Sequence, residues 1–282
     1  KIFKVIWSKS KQCYIVVSEI AKNKTGKKKI VVASILAALT MTANIVTVEG
    51  AIPEGTRTDH LGLAIGTSSN SKSNQSVAIG YASSAEAPGA NPENPATAVG
   101  AGANANGAGT VALGLSANAT GTNAVALGGG SNGGTNKTEA TAANTTAIGF
   151  NAKASKSGAA AIGSGAKASG SDSISFGTDT VADSEKAIAI GAGSKATNIG
   201  ATALGRSSAA TAASATAVGS LASATGTTAT AVGIEASASG AESLAIGKTA
   251  SATSGRALAV GTNAKATGAS SVAVGSGAGN SG

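Results

Sequence analysis

Thr216-Ala217-Val218-Gly219 is one of a family of four-residue phrases that recur through the chain. Its relatives include Leu63-Ala64-Ile65-Gly66, Val77-Ala78-Ile79-Gly80, Val111-Ala112-Leu113-Gly114, Leu258-Ala259-Val260-Gly261 and Val272-Ala273-Val274-Gly275. Fifteen closing glycines run from Gly66 to Gly275, and 12 of the 14 intervals between them are 14 residues long. The other two, Gly80 to Gly100 and Gly128 to Gly149, are 20 and 21 residues long. A period held over so many copies is the mark of a solenoid, in which each repeat contacts only its neighbours.

With the closing glycine as position 0, position −1 is always Ile, Val, Leu or Phe, and −3 is aliphatic or Thr except at Ala160. Position −2 is Ala except at Ser175. Large, small, large over three residues is strand alternation, with −3 and −1 on one face and −2 on the other. Glycine then turns the chain, because it adopts positive φ at no steric cost. Positions +3 and +5 are mostly Ala or Ser, flanking a polar +4 such as Asn104, Lys153, Lys167, Lys195 or Ser237. A second glycine often stands at +7, as at Gly170, Gly226 and Gly240. Each unit therefore reads as two short strands and two turns, one coil of an all-β, two-sheeted parallel solenoid. About 15 coils stacked at strand spacing of ~4.8 Å make a rod of about 70 Å.

The size pattern suggests large residues at −3 and −1 facing inward across small ones at +3 and +5. That places −2 outside, at Ala64, Ala78, Ala98, Ala112, Ala126, Ala147, Ala161, Ala189, Ala203, Ala217, Ala231, Ala245, Ala259 and Ala273. A solvated position would accept Lys, as +4 does. These alanines are therefore expected to lie against a sister protomer.

Composition narrows the function. The 282 residues include 40 glycines, only 2% aromatics and 12% charged residues. The net charge of +8 is concentrated in residues 1–50, which carry nine Lys and two Glu. The rest is nearly neutral, so no electrostatic footprint for nucleic acid is expected. Cys13 and His60 are single and lie outside the repeats, and no carboxylates cluster. No catalytic constellation or cofactor site follows, so the chain does not read as an enzyme. Gly128, Gly130 and Gly133 satisfy G-x-G-x-x-G, but no helix pattern follows them to hold a phosphate.

The first 50 residues form a leader. A basic cluster, Lys22 to Lys29, precedes the apolar run Ile30 to Leu39 and a small, polar exit. This is a secretory signal pattern, with cleavage expected between about residues 40 and 51. Residues 51–62 form an entry segment before the first coil. Ile2, Phe3, Val5, Trp7, Ser18, Glu19 and Ala21, followed by the lysines, resemble the extended signal peptide region of large Gram-negative autotransporters. That resemblance implies export across the inner membrane.

The phrases at a 14-residue period over residues 63–282 resemble the YadA-type head of trimeric autotransporter adhesins. The resemblance implies a left-handed parallel β-roll, a side-by-side homotrimer and display at the cell surface in the outer membrane. It also implies attachment to host extracellular matrix or host cells, or self-association between bacteria. In that family a neck, a coiled-coil stalk and a C-terminal membrane anchor follow the head, so this chain reads as an N-terminal portion. Two insertions interrupt the coils, within 81–96 (Pro88, Pro92, Pro95) and within 129–145, and are candidate exposed loops. Tyr81 and Phe150, both just past a turn, are candidate ligand contacts; Phe176, at −1, reads as core. A competing reading is an ice-binding or purely structural solenoid. Thr97, Thr146, Thr202, Thr216 and Thr230 lie at −3, which the pattern above turns inward.

Overall fold

The computed structural model describes residues 3–8, 13–18, 62–73, 75–87, 94–131 and 136–280. In the leader, β1 (Phe3–Ser8) and β2 (Cys13–Ser18) pair antiparallel, Phe3 opposite Ser18 and Ser8 opposite Cys13. They belong to a unit, Lys1–Glu49, separate from the unit that holds the repeats, Gly50–Gly282. Most of the signal pattern and the entry segment lie outside the described residues.

The repeats form a parallel β-solenoid. Strands β3 (Leu63–Ile65) to β32 (Gly279–Asn280) alternate between two sheets of 15 strands each. The first sheet holds the phrases, residues −3 to −1 of every coil, and the second holds the segment around +4 and +5. Equivalent residues stack without slippage: Ala203 beside Ala217, Ala217 beside Ala231, Ala210 beside Ala224. The turns are laddered as well, with the Leu221 amide donating to the Arg206 carbonyl of the coil before at 2.9 Å. Backbone groups are thus paired from coil to coil even where the chain reverses.

The interior differs from the expected one. It is built almost wholly of alanine. Ala215 and Ala217 from the first sheet meet Ala222 and Ala224 from the second, all with no accessible surface. The same four positions, −4, −2, +3 and +5, are filled by small residues along the rod. The expectation that the −2 alanines face a sister protomer is therefore corrected: from Ala78 to Ala273 they are buried inside their own roll. Ala64, in the first coil among the described residues, is half-covered. The reason is thickness. With five strand residues and two turns per coil, the sheets come so close that only methyl and hydroxymethyl groups fit between them. Leucine or isoleucine cannot enter, so the large residues are turned out. Burial within the roll excludes Lys from −2 as firmly as a partner would.

At several positions where Ser or Thr replaces alanine inside, its hydroxyl donates to a carbonyl three residues earlier, whereas Ser194 Oγ and Ser243 Oγ are buried without a partner among the described residues. Thr110 Oγ1 donates to Gly107 O at 2.7 Å, Ser173 Oγ to Gly170 O at 2.7 Å and Thr180 Oγ1 to Gly177 O at 3.0 Å. These bonds satisfy hydroxyls that would otherwise be costly to bury. Ser175, the exception at −2, pairs with Thr180 across the interior at 2.7 Å.

Both insertions leave the register intact. Val77 pairs with Thr97 across the first and Val125 with Thr146 across the second. The first departs where the second sheet returns to the first, after β6 (Ser84–Glu86). The second departs at the opposite turn, and the chain is back inside the roll by Thr138. They leave the roll at opposite edges. Their tips, residues 88–93 and 132–135, lie outside the described residues.

Candidate interaction surface

The residues that could act on a partner are those the thin interior expels. On the first sheet, −3 and −1 point outward in every coil, so Thr216 and Val218 flank the buried Ala217. Fifteen rungs carry Leu, Val, Ile, Phe, Thr or Ala and no charge. Leu63, Ile65, Leu113, Ile174, Ile190, Ile246, Val272 and Val274 are all exposed. Phe176 is 51% accessible, so the reading of this ring as core is corrected: it stands on the outer face. The five threonines at −3 also stand outside, in a column broken by valine, isoleucine and leucine.

The outer face of the second sheet has a different character. Its +4 and neighbouring positions carry Lys, Asn, Ser and Glu, solvated as expected. Lys153 reaches Glu139 at 3.5 Å, Lys167 reaches Asp183 at 2.8 Å and Lys72 reaches Glu86 at 2.6 Å. The Asn104 amide donates to Asn118 Oδ1 of the next coil at 2.8 Å. One molecule thus has a charged, water-compatible face and an uncharged, apolar one. A contiguous apolar surface of that length is uncommon on a soluble monomer and marks an interaction site.

Tyr81 and Phe150 both follow a closing glycine at the edge of the first sheet and are 66% and 49% accessible. The structure does not bring them together, since they stand four coils apart along the rod. Among the described residues, no group of three His, Cys, Asp or Glu side chains is placed to hold a metal.

One signal in the sequence could have revealed the inward face. The coil is two similar halves of seven residues. Ala215, Ala217, Gly219 and Leu221 match Ala222, Ala224, Gly226 and Thr228, and both Leu221 and Thr228 have positive φ, 60° and 56°. Once +3 and +5 are placed inside, this equivalence puts −4 and −2 inside too.

A parallel roll with an alanine interior, an apolar outer sheet and an export leader defines a class: the repeat head of a trimeric autotransporter adhesin. Residues 1–46 match the extended signal peptide of the type V secretion system. The YadA head domain repeat matches eight stretches: residues 61–90, 95–117, 105–131, 140–166, 168–194, 196–222, 224–250 and 252–278. The chain belongs to the YadA head family. Its leader and family mark it as exported to the surface of a Gram-negative cell. No curated protein matches the chain.

Proposed function

We propose that this chain is the head of a surface adhesin, in which copies pack side by side through the −3 and −1 face of the first sheet. The observation that supports this most directly is the contrast between the two outer faces, one uncharged along its whole length and the other crossed by ion pairs. A strip of about 70 Å by ~10 Å is roughly 700 Å², close to the ~800 Å² per partner typical of stable interfaces. Family membership favours three copies around one axis. The charged second sheet, the insertions and the exposed rings of Tyr81 and Phe150 then remain outside and available to ligand.

The proposed ligands are extracellular matrix proteins, host cell surfaces or other bacteria, held by many weak contacts. Three copies repeat every contact, so avidity replaces single-site affinity. Outer-membrane anchoring is part of the same proposal. The test is sedimentation of the exported chain, leader removed, with binding to immobilised matrix proteins and intact bacteria. A trimer that binds, and binds at least ~10-fold more weakly when dissociated, is expected. A monomer at micromolar concentration, or a trimer that holds none of these surfaces, would overturn the reading. Ice binding by the −3 threonines is a rival; thermal hysteresis would report it.

A further inference from the structure

The outward face has two columns of unlike character. Position −1 is a large apolar residue in every coil, from Ile65 to Val274. Position −3 varies: Thr97 and Thr146 stand alone, Thr202, Thr216 and Thr230 stand on consecutive coils, and aliphatic residues or Ala160 fill the rest. The register pairs Thr202 with Thr216 and Thr216 with Thr230 along one sheet edge-on to the same face. None of these five hydroxyls takes a hydrogen-bond partner within the described chain.

A solenoid with identical coils poses a problem for assembly. Sliding one copy past another by a single coil, ~4.8 Å, returns nearly the same surface to the same place. The −1 column, apolar throughout, distinguishes the two arrangements only by side-chain size, as where Phe176 stands between Ile162 and Ile190, and by no polar group. The −3 column does carry polar groups. We infer that Thr97, Thr146, Thr202, Thr216 and Thr230 set the axial register in which copies of this chain pack together. This rests on the proposal that the first sheet's outer face is the contact between copies.

In register, each threonine meets threonine at the same height, and a hydroxyl that both donates and accepts can satisfy its counterpart. One coil out of register, Thr97 faces Val77 or Val111, Thr146 faces Val125 or Ala160, and Thr202 or Thr230 faces Ile188 or Leu244. Those hydroxyls are then dry and unpaired. Each orphan disfavours the shifted assembly by about tenfold or more. The arrangement resembles a buried asparagine in a coiled coil, which gives up stability to fix alignment. The aliphatic −1 column supplies attraction, and the threonines supply the choice of partner height.

The experiment uses two differently tagged copies of the exported chain, mixed during refolding and oxidised. One pair carries Val232→Cys in both copies; the other carries Val232→Cys in one and Val218→Cys in its partner. A disulfide needs Cα atoms within about 7 Å, so each pair reports one alignment. In the parent background the equal-height pair should cross-link and the offset pair should not. With all five threonines changed to valine, which preserves shape on an outward face, the offset cross-link should rise at least ~10-fold relative to the equal-height one. Changing all five to serine, which keeps the hydroxyl, should restore the parent ratio. An unchanged ratio in the valine variant, with the oligomer intact by sedimentation, overturns the register assignment alone. Monomers in the parent background overturn the packing face as well.

Discussion

Ala217 and Val218 are neighbours in the chain and belong to different surfaces: Ala217 has no accessible area, while Val218 is only half-covered. One peptide bond separates the interior of the roll from the face proposed to meet another copy. Substitutions at the two positions should therefore fail in different ways.

Replacing Ala217 and Ala231 by lysine puts two charges into a space that accommodates methyl groups. Burying unpaired charge costs several kcal/mol per site. The expected result is unfolding of the central coils, seen as loss of β-sheet circular dichroism and early protease cleavage. A variant that keeps full β signal and only loses oligomers would contradict the inward placement.

Replacing Val218 and Val232 by lysine leaves the roll intact and charges the outer face. Circular dichroism of the β-sheet should be nearly unchanged, while sedimentation shifts from oligomer to monomer at micromolar concentration. An oligomer as stable as the parent would mean that another surface carries assembly.

Gly247 has φ of +126°, and a Cβ there would stand 2.6 Å from the carbonyl oxygen of Gly261 in the next coil. Alanine at this position must strain the turn and push two coils apart. A loss of about 2–4 kcal/mol is expected, combining backbone strain with steric overlap, and chemical denaturation would measure it. Substitution without a change in midpoint would show that the turn can open.

Thr228 occupies the left-handed region with φ of 56°, a conformation β-branched residues rarely adopt. The corresponding residues of other coils include Gly109, Asn123 and Asn144, for which the conformation is easier. Thr228→Asn should stabilise the roll by about 1 kcal/mol. A lower midpoint for this variant would mean that the bond from Thr228 Oγ1 to Thr227 O outweighs the relief.

Glu139 joins Lys137 and Lys153 on the second sheet, all three partly exposed. Exposed pairs contribute little, so Glu139→Gln should shift stability by less than about 1 kcal/mol. Melting curves in low and high salt should nearly overlap. A larger loss would point to a structural duty for the point where the second insertion rejoins the roll.

The chain alone carried the solenoid, its period, its two strands per coil and the places where loops leave it. Those properties are local: alternation marks strands, glycine marks turns and repetition stacks them. The orientation of the coil was not local in that sense. Large, small, large at −3 to −1 fits a sheet facing either way, and the usual preference for burying the larger side chain pointed the wrong way. Tertiary structure decided it through the distance between the two sheets, which a 14-residue coil holds too small for anything but alanine, serine and threonine. The valine and isoleucine that would form the core of a wider protein are left outside here, where only another molecule can cover them.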